Sequence, residues 1–127
     1  MTFKIQASRK QLRLFYGAAI LLIALDQLSK YWAQKGLQGH PATIFLNDFF
    51  RFDYAENPGA FLGMGDSLSD PSRFWIFTIL VFFLMLGLAV YLHIKNLPRQ
   101  EAWAYTLVFA GGIGNLIDRI FRPQGHV

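Results

Sequence analysis

Between Arg73 and Lys95 the chain runs for twenty-one residues, 74 to 94, without a formal charge. As a helix this run is about 31 Å long, which matches the hydrocarbon thickness of a bilayer. Phe and Leu are spread all round it rather than along one stripe, so no face is reserved for water. Such a helix needs lipid against much of its surface, and the rest of the chain has to be read as a membrane protein.

Two further apolar runs fit that frame. The first thirteen residues carry Lys4, Arg9, Lys10 and Arg13 with no acid, and an apolar run from Leu14 follows directly. A cleaved signal peptide would place a small-x-small site after the run, but the sequence continues Asp26-Gln27-Leu28-Ser29-Lys30-Tyr31-Trp32. The reading is an uncleaved first span over 14–33, about 30 Å of helix. Asp26 and Lys30 lie inside it at i and i+4, acid first, the favourable order for an intrahelical ion pair. The bland account is that they only neutralise one another; in lipid that still costs free energy unless the pair faces protein or a cavity.

Sixteen uncharged residues, 102 to 117, lead to Asp118 and define a third span over 102–121. On a helix Asn115, Asp118, Arg119 and Arg122 share a stripe, while Leu116, Ile117, Ile120 and Phe121 face elsewhere. Gly111, Gly112 and Gly114 cost helix propensity in water, but in a membrane small residues let a second backbone come close. The bland alternative is a helix end where Asp118 and Arg119 meet headgroups. Residues 95–101, with Pro98, make a short turn that leaves the second and third spans antiparallel neighbours. His93 reads as interfacial.

The 127 residues make one domain, 54% hydrophobic and 16% charged, which agrees with a membrane bundle. The net charge of +4 is accounted for by topology rather than by nucleic acid, since four basic residues crowd the first thirteen positions. There is no cysteine, and His40, His93 and His126 are far apart without an i+4 ligand partner, so neither metal nor cofactor is expected.

Residues 34–73 form a polar-aromatic segment of net charge −2. Phe50, Phe52 and Tyr54 alternate with Arg51 and Asp53, which predicts a short strand with one face on an apolar surface. The stretch from Ala55 to Gly65, with one Pro and three Gly, reads as a loop that a ligand backbone can approach, or as a connector with interfacial aromatic anchors. Basic residues at the N-terminus and in the 95–101 turn place both in the cytoplasm and the long segment outside. Counted from the cytoplasmic ends, Asp26 lies about 18 Å and Lys30 about 24 Å along the first helix, and Asn115 about 20 Å and Asp118 about 24 Å along the third. A polar pocket at the outer rim, walled by helices one and three and lidded by the 45–65 segment, is the geometric expectation. A cation beside each of Asp26 and Asp118 disfavours a shared proton, so these two read as posts that orient other groups rather than as an aspartyl pair.

The blocks Asp26-x-x-Ser29-Lys30, Asn57-x-Gly59-Ala60-Phe61 and Gly111-Gly112-x-Gly114-Asn115-x-x-Asp118-Arg119, in this order and at these span positions, resemble lipoprotein signal peptidase (signal peptidase II). The middle block has only Ala60 before Phe61 where the family often has a second Ala. The resemblance implies an all-α membrane protein, an antiparallel transmembrane helix bundle with a small extracytoplasmic β/loop segment. It also implies a monomeric intramembrane aspartic endopeptidase of the bacterial inner membrane, in contact with membrane lipid. Such an enzyme removes signal peptides from diacylglyceryl-modified prolipoproteins with two aspartates and without metal or cofactor. Asp26, Lys30, Asn57, Gly59, Asn115 and Arg119 would contact substrate, with Asp118, Gly112 and Gly114 structural at the site.

In the family the first catalytic Asp comes a few residues after the Asp-Arg pair and the second opens a fourth helix. The chain ends at Gly125-His126-Val127, so three spans are expected with the fourth missing and both catalytic positions beyond Val127. The 127 residues then read as an inactive fragment of marginal stability. The alternatives are a non-catalytic membrane protein holding a lipidated peptide or a partner helix and, more remotely, an ion-coupled carrier, which lacks the half-repeats such carriers show.

Overall fold

The computed structural model describes residues 7–57, 67–122 and 127. In chain order it has α1 (Arg9–Leu37), β1 (Thr43–Phe45), β2 (Phe50–Phe52), α2 (Asp70–Ile94) and α3 (Arg99–Phe121). The helices run past the apolar runs that announce them. Ser8 caps α1, its hydroxyl accepting from the Gln11 amide at 3.1 Å, so Arg9 to Arg13 join the helix and carry their charged ends beyond its apolar part. α2 opens differently: the Ser69 hydroxyl makes no capping bond and donates to Ser72 Oγ instead, and Pro71 fits the first helical turn, where no amide partner is lost.

α3 packs against both α1 and α2. Near the start of α1, Phe15 and Ala19 close on Leu92, with Leu88, Leu97, Tyr105 and Phe109 around them. The rings of Phe15 and Phe109 meet at 5.0 Å, edge to face. Gln11 fastens this end: its amide nitrogen donates to the carbonyls of Leu92 (3.1 Å) and Lys95 (2.9 Å), and its oxygen accepts from the Leu97 amide (2.9 Å). Those carbonyls end α2, where no further helical turn supplies donors. The Tyr16 hydroxyl lies 2.6 Å from His93 Nε2, so the ring expected at an interface also ties α1 to α2.

α1 and α2 are long and apolar enough to cross a membrane, and only 11% of each apolar window is buried. A helix at the core of a soluble protein would have that surface covered. Here Ile20 (68%), Trp32 (69%) and Phe83 (63%) stand open, an outside that suits hydrocarbon and not water. Two such helices with an open apolar surface fit a membrane protein.

The period-two stretch around Arg51 does form a strand, but not the one expected. β2 pairs antiparallel with β1 (Thr43 opposite Phe52, Phe45 opposite Phe50), and all six residues are exposed rather than seated on an apolar surface. The aromatic groups find each other instead, Phe45 against Phe52 at 5.8 Å. The connecting turn holds Leu46, Asn47 and Asp48 at positive φ, and Arg51 grips the Asp48 carboxylate from across it (2.9 Å).

Candidate functional site

Two turns before its end, α3 comes so close to α1 that a side chain at Gly114 would strike the Asp26 carboxylate. This contact is what the glycine run permits. It brings the polar residues of the two helices together. Lys30 Nζ donates to Asp118 Oδ2 at 2.5 Å and to Asn115 Oδ1 at 3.4 Å, and pairs as an ion with Asp26 Oδ2 at 3.0 Å. Asp118 is fully buried; its other oxygen accepts from Arg122 Nε at 2.9 Å and from Gln27 Nε2 at 3.3 Å. Gln27 also reaches Asp26 (3.1 Å) and the Gly114 carbonyl (3.2 Å). Two carboxylates face two cations, and the cluster closes at zero net charge, the condition under which buried ions are tolerated.

Beside this cluster a cavity of about 230 Å³ is lined by Lys30 and Ala33 of α1, Asp53, Tyr54 and Ala55 after β2, Arg122 at the end of α3, and Val127. Helices one and three and the segment after the hairpin line it together. The Tyr54 hydroxyl donates to Glu56 at 2.8 Å. Its phenol is held above the ordinary 10.0, first by desolvation and then by the bond and charge of Glu56, against the opposing pull of Arg122. Asn57 and Val127 exchange backbone hydrogen bonds (2.8 and 3.0 Å), so Val127 joins the lining.

Not every residue expected here arrives. The structure brings together Asp26, Lys30, Asn115, Asp118 and Gly114. Arg119 does not join them: its guanidinium lies 5.9 Å from the Phe77 ring of α2, buried, with Nε and Nη1 unpartnered. Position 119 is 100° round the helix from 118, which turns it to the other neighbour; the second cation on Asp118 is Arg122, a full turn on. Gly112 likewise serves a different contact, since a side chain there would run into Met85 of α2. Asn57 sits at the edge, engaged through its backbone with Val127, and Gly59 lies outside the described residues. Gln27 is the participant missed by sequence reasoning; the signal was an amide adjoining Asp26 within an apolar helix.

The sequence comparisons bear on what this cluster serves. A family model described as signal peptidase (SPase) II matches residues 18–127. The chain belongs to the signal peptidase II family. Similar curated proteins carry the name lipoprotein signal peptidase. The one from Borreliella burgdorferi (strain ZS7) is 34% identical over 122 residues, 95% of this chain and 71% of that protein. The one from Borrelia turicatae is 34% identical over 108 residues, 84% of this chain and 63% of its own length. That of Bifidobacterium adolescentis is 31% identical over 119 residues, 94% of this chain and 60% of its own length. No solved structure matches significantly. As a signal peptidase II family member, the chain is an aspartic-protease relative whose Asp26 and Asp118 are both committed to Lys30.

Proposed function

We propose that the chain acts in removing signal peptides from diacylglyceryl-modified prolipoproteins, and that the Lys30 cluster with its covered cavity receives the substrate backbone near the lipid-bearing residue. The observation that carries this is the convergence of Lys30, Asn115 and Asp118 from two helices under the Asp53–Ala55 segment. Lys30 and Arg122 present their cations to the cavity, and Asn115 accepts from Lys30 behind it. Asp26, Asp118 and Gln27 hold Lys30 in place, and Gly114 lets the helices approach.

Aspartic proteolysis needs one ionised carboxylate to take the proton of the attacking water and one protonated carboxylate to hydrogen-bond the scissile carbonyl. Asp26 and Asp118 do not suit that division, because one ammonium bridges both. They are positioning residues in this reading, and the catalytic pair is not assigned among the described residues. The orientation that fits has the N-terminus and the α2–α3 turn on the cytoplasmic side of the bacterial inner membrane and the hairpin outside, with α3 as a third span whose polar stripe is turned onto α1. The protein is a monomer in this account.

The test is a side-by-side assay of the 127-residue chain and the complete reading frame that encodes it, both reconstituted with a diacylglyceryl-modified prolipoprotein. Cleavage by the full frame that drops at least about a hundredfold in Lys30→Ala supports the role given to Lys30, the size expected when a positioning contact is removed. Undiminished cleavage by Lys30→Ala contradicts it. The second reading, retention of a lipidated peptide without cleavage, is favoured by the bridging of both aspartates. It predicts photocrosslinking of the peptide from position 33 with no product from either form.

A further inference from the structure

At the opposite end of the bundle a cavity of about 610 Å³ opens between the first turns of α1 and α3. Lys10 and Arg13 of α1 and Arg99 of α3 line it, and Leu14, Leu97 and Ala102 form its apolar side. Among the described residues none of these three cations has a carboxylate partner; the ion pairs that exist are those of Asp26, Asp48, Asp70 and Asp118. Two helix N-termini also lie here; the first turn of α1 contains no acidic residue to balance its dipole, and the one acid in the first turn of α3, Glu101, is not in the cavity lining. Basic side chains at a helix start oppose the positive dipole end, so like charges collect around a cavity with nothing negative in it.

Topological bias alone accounts for the number of these charges but not for their convergence. Arg13 and Arg99 are 86 positions apart in the chain and reach the same cavity. Further along the same two helices Tyr16, Ile20 and Leu107 are exposed. An anion with a hydrocarbon body fits both halves of that lining. We infer that this cavity is a binding site for the phosphodiester headgroup of an anionic membrane phospholipid, with the phosphate on Lys10, Arg13 and Arg99 and an acyl chain leaving past Leu14 and Ala102. It rests on α1 crossing the membrane and is independent of the Lys30 cluster.

Trp103 adjoins the lining residue Ala102, so it can report occupancy. The full chain carrying Trp32→Phe and Trp75→Phe is titrated in mixed micelles with brominated phosphatidylglycerol, brominated phosphatidylcholine, and inorganic phosphate as competitor. Trp103 quenching is expected to half-saturate at a phosphatidylglycerol fraction about tenfold below that for phosphatidylcholine, and Arg13→Gln with Arg99→Gln removes that advantage. Arg9→Gln with Lys95→Gln removes the same charge from the same end outside the cavity, and is expected to shift half-saturation several-fold less than the Arg13 and Arg99 pair at about 0.15 M salt, which screens charges a Debye length away. Equal quenching by the two lipids in the unsubstituted cavity overturns the inference without recourse to any variant. So does equal weakening by both substituted pairs, which marks a diffuse surface potential, or full displacement by millimolar phosphate, which marks a site for free anions.

Discussion

Asp118 holds the polar cluster together, since it accepts from Lys30, Arg122 and Gln27 while wholly removed from solvent. Asp118→Ala leaves Arg122 without its carboxylate partner inside the bundle, and a loss of about 3–5 kcal/mol is expected, read from unfolding in detergent. A loss below about 1 kcal/mol would mean water already screens the cluster. The glycines give a sharper contrast. Gly114→Ala drives a methyl into Asp26, and about 1–3 kcal/mol of destabilisation is expected. Gly111→Ala meets open space and is expected to be neutral or stabilising by up to about 1 kcal/mol, because alanine is the better helix former. Equal effects at the two positions would contradict the described helix contact. Asp26, Lys30, Asn115 and Asp118 were legible in the sequence because an ionisable or amide group in an apolar run has to find a partner. The direction of Arg119 was not, since 100° of helix rotation decides between α1 and α2 and only the packed bundle fixes that angle.

At the scale of the element, Gln11 makes the α2–α3 connector part of α1's contact surface. Gln11→Ala strands two carbonyls and one amide, and is expected to cost about 1–3 kcal/mol and to speed hydrogen exchange at the Leu97 amide specifically. Unchanged exchange there would show that the connector holds itself. Three helices are legible as uncharged runs, but their ends are not, because Ser8 and Ser69 start helices among polar residues that hydrophobicity passes over. The β1 partner of β2 was invisible for another reason. Thr43–Phe45 is too short to show a period, and its pairing is set by the turn through Leu46, Asn47 and Asp48, a conformation that no glycine announces.

For the whole molecule, the account is that α1 and α3 run side by side with their charged and amide groups at one depth, so that a neutral polar cluster sits at the end of a helix bundle whose outside is hydrocarbon-facing. Rise per residue was enough to anticipate the shared depth, which depends only on helix length; the direction of each side chain depended on packing. The absence of native cysteine makes the arrangement directly measurable. A β-carbon at position 114 lies 3.8 Å from that of Asp26, within the span a disulfide bridges. The measurement is oxidative crosslinking of Asp26→Cys with Gly114→Cys in membranes, beside Asp26→Cys with Gly111→Cys. The account predicts rapid intramolecular closure of the first pair and none of the second. Failure of the first pair to close, or equal closure of both, would contradict the meeting of the two helices on which the site depends.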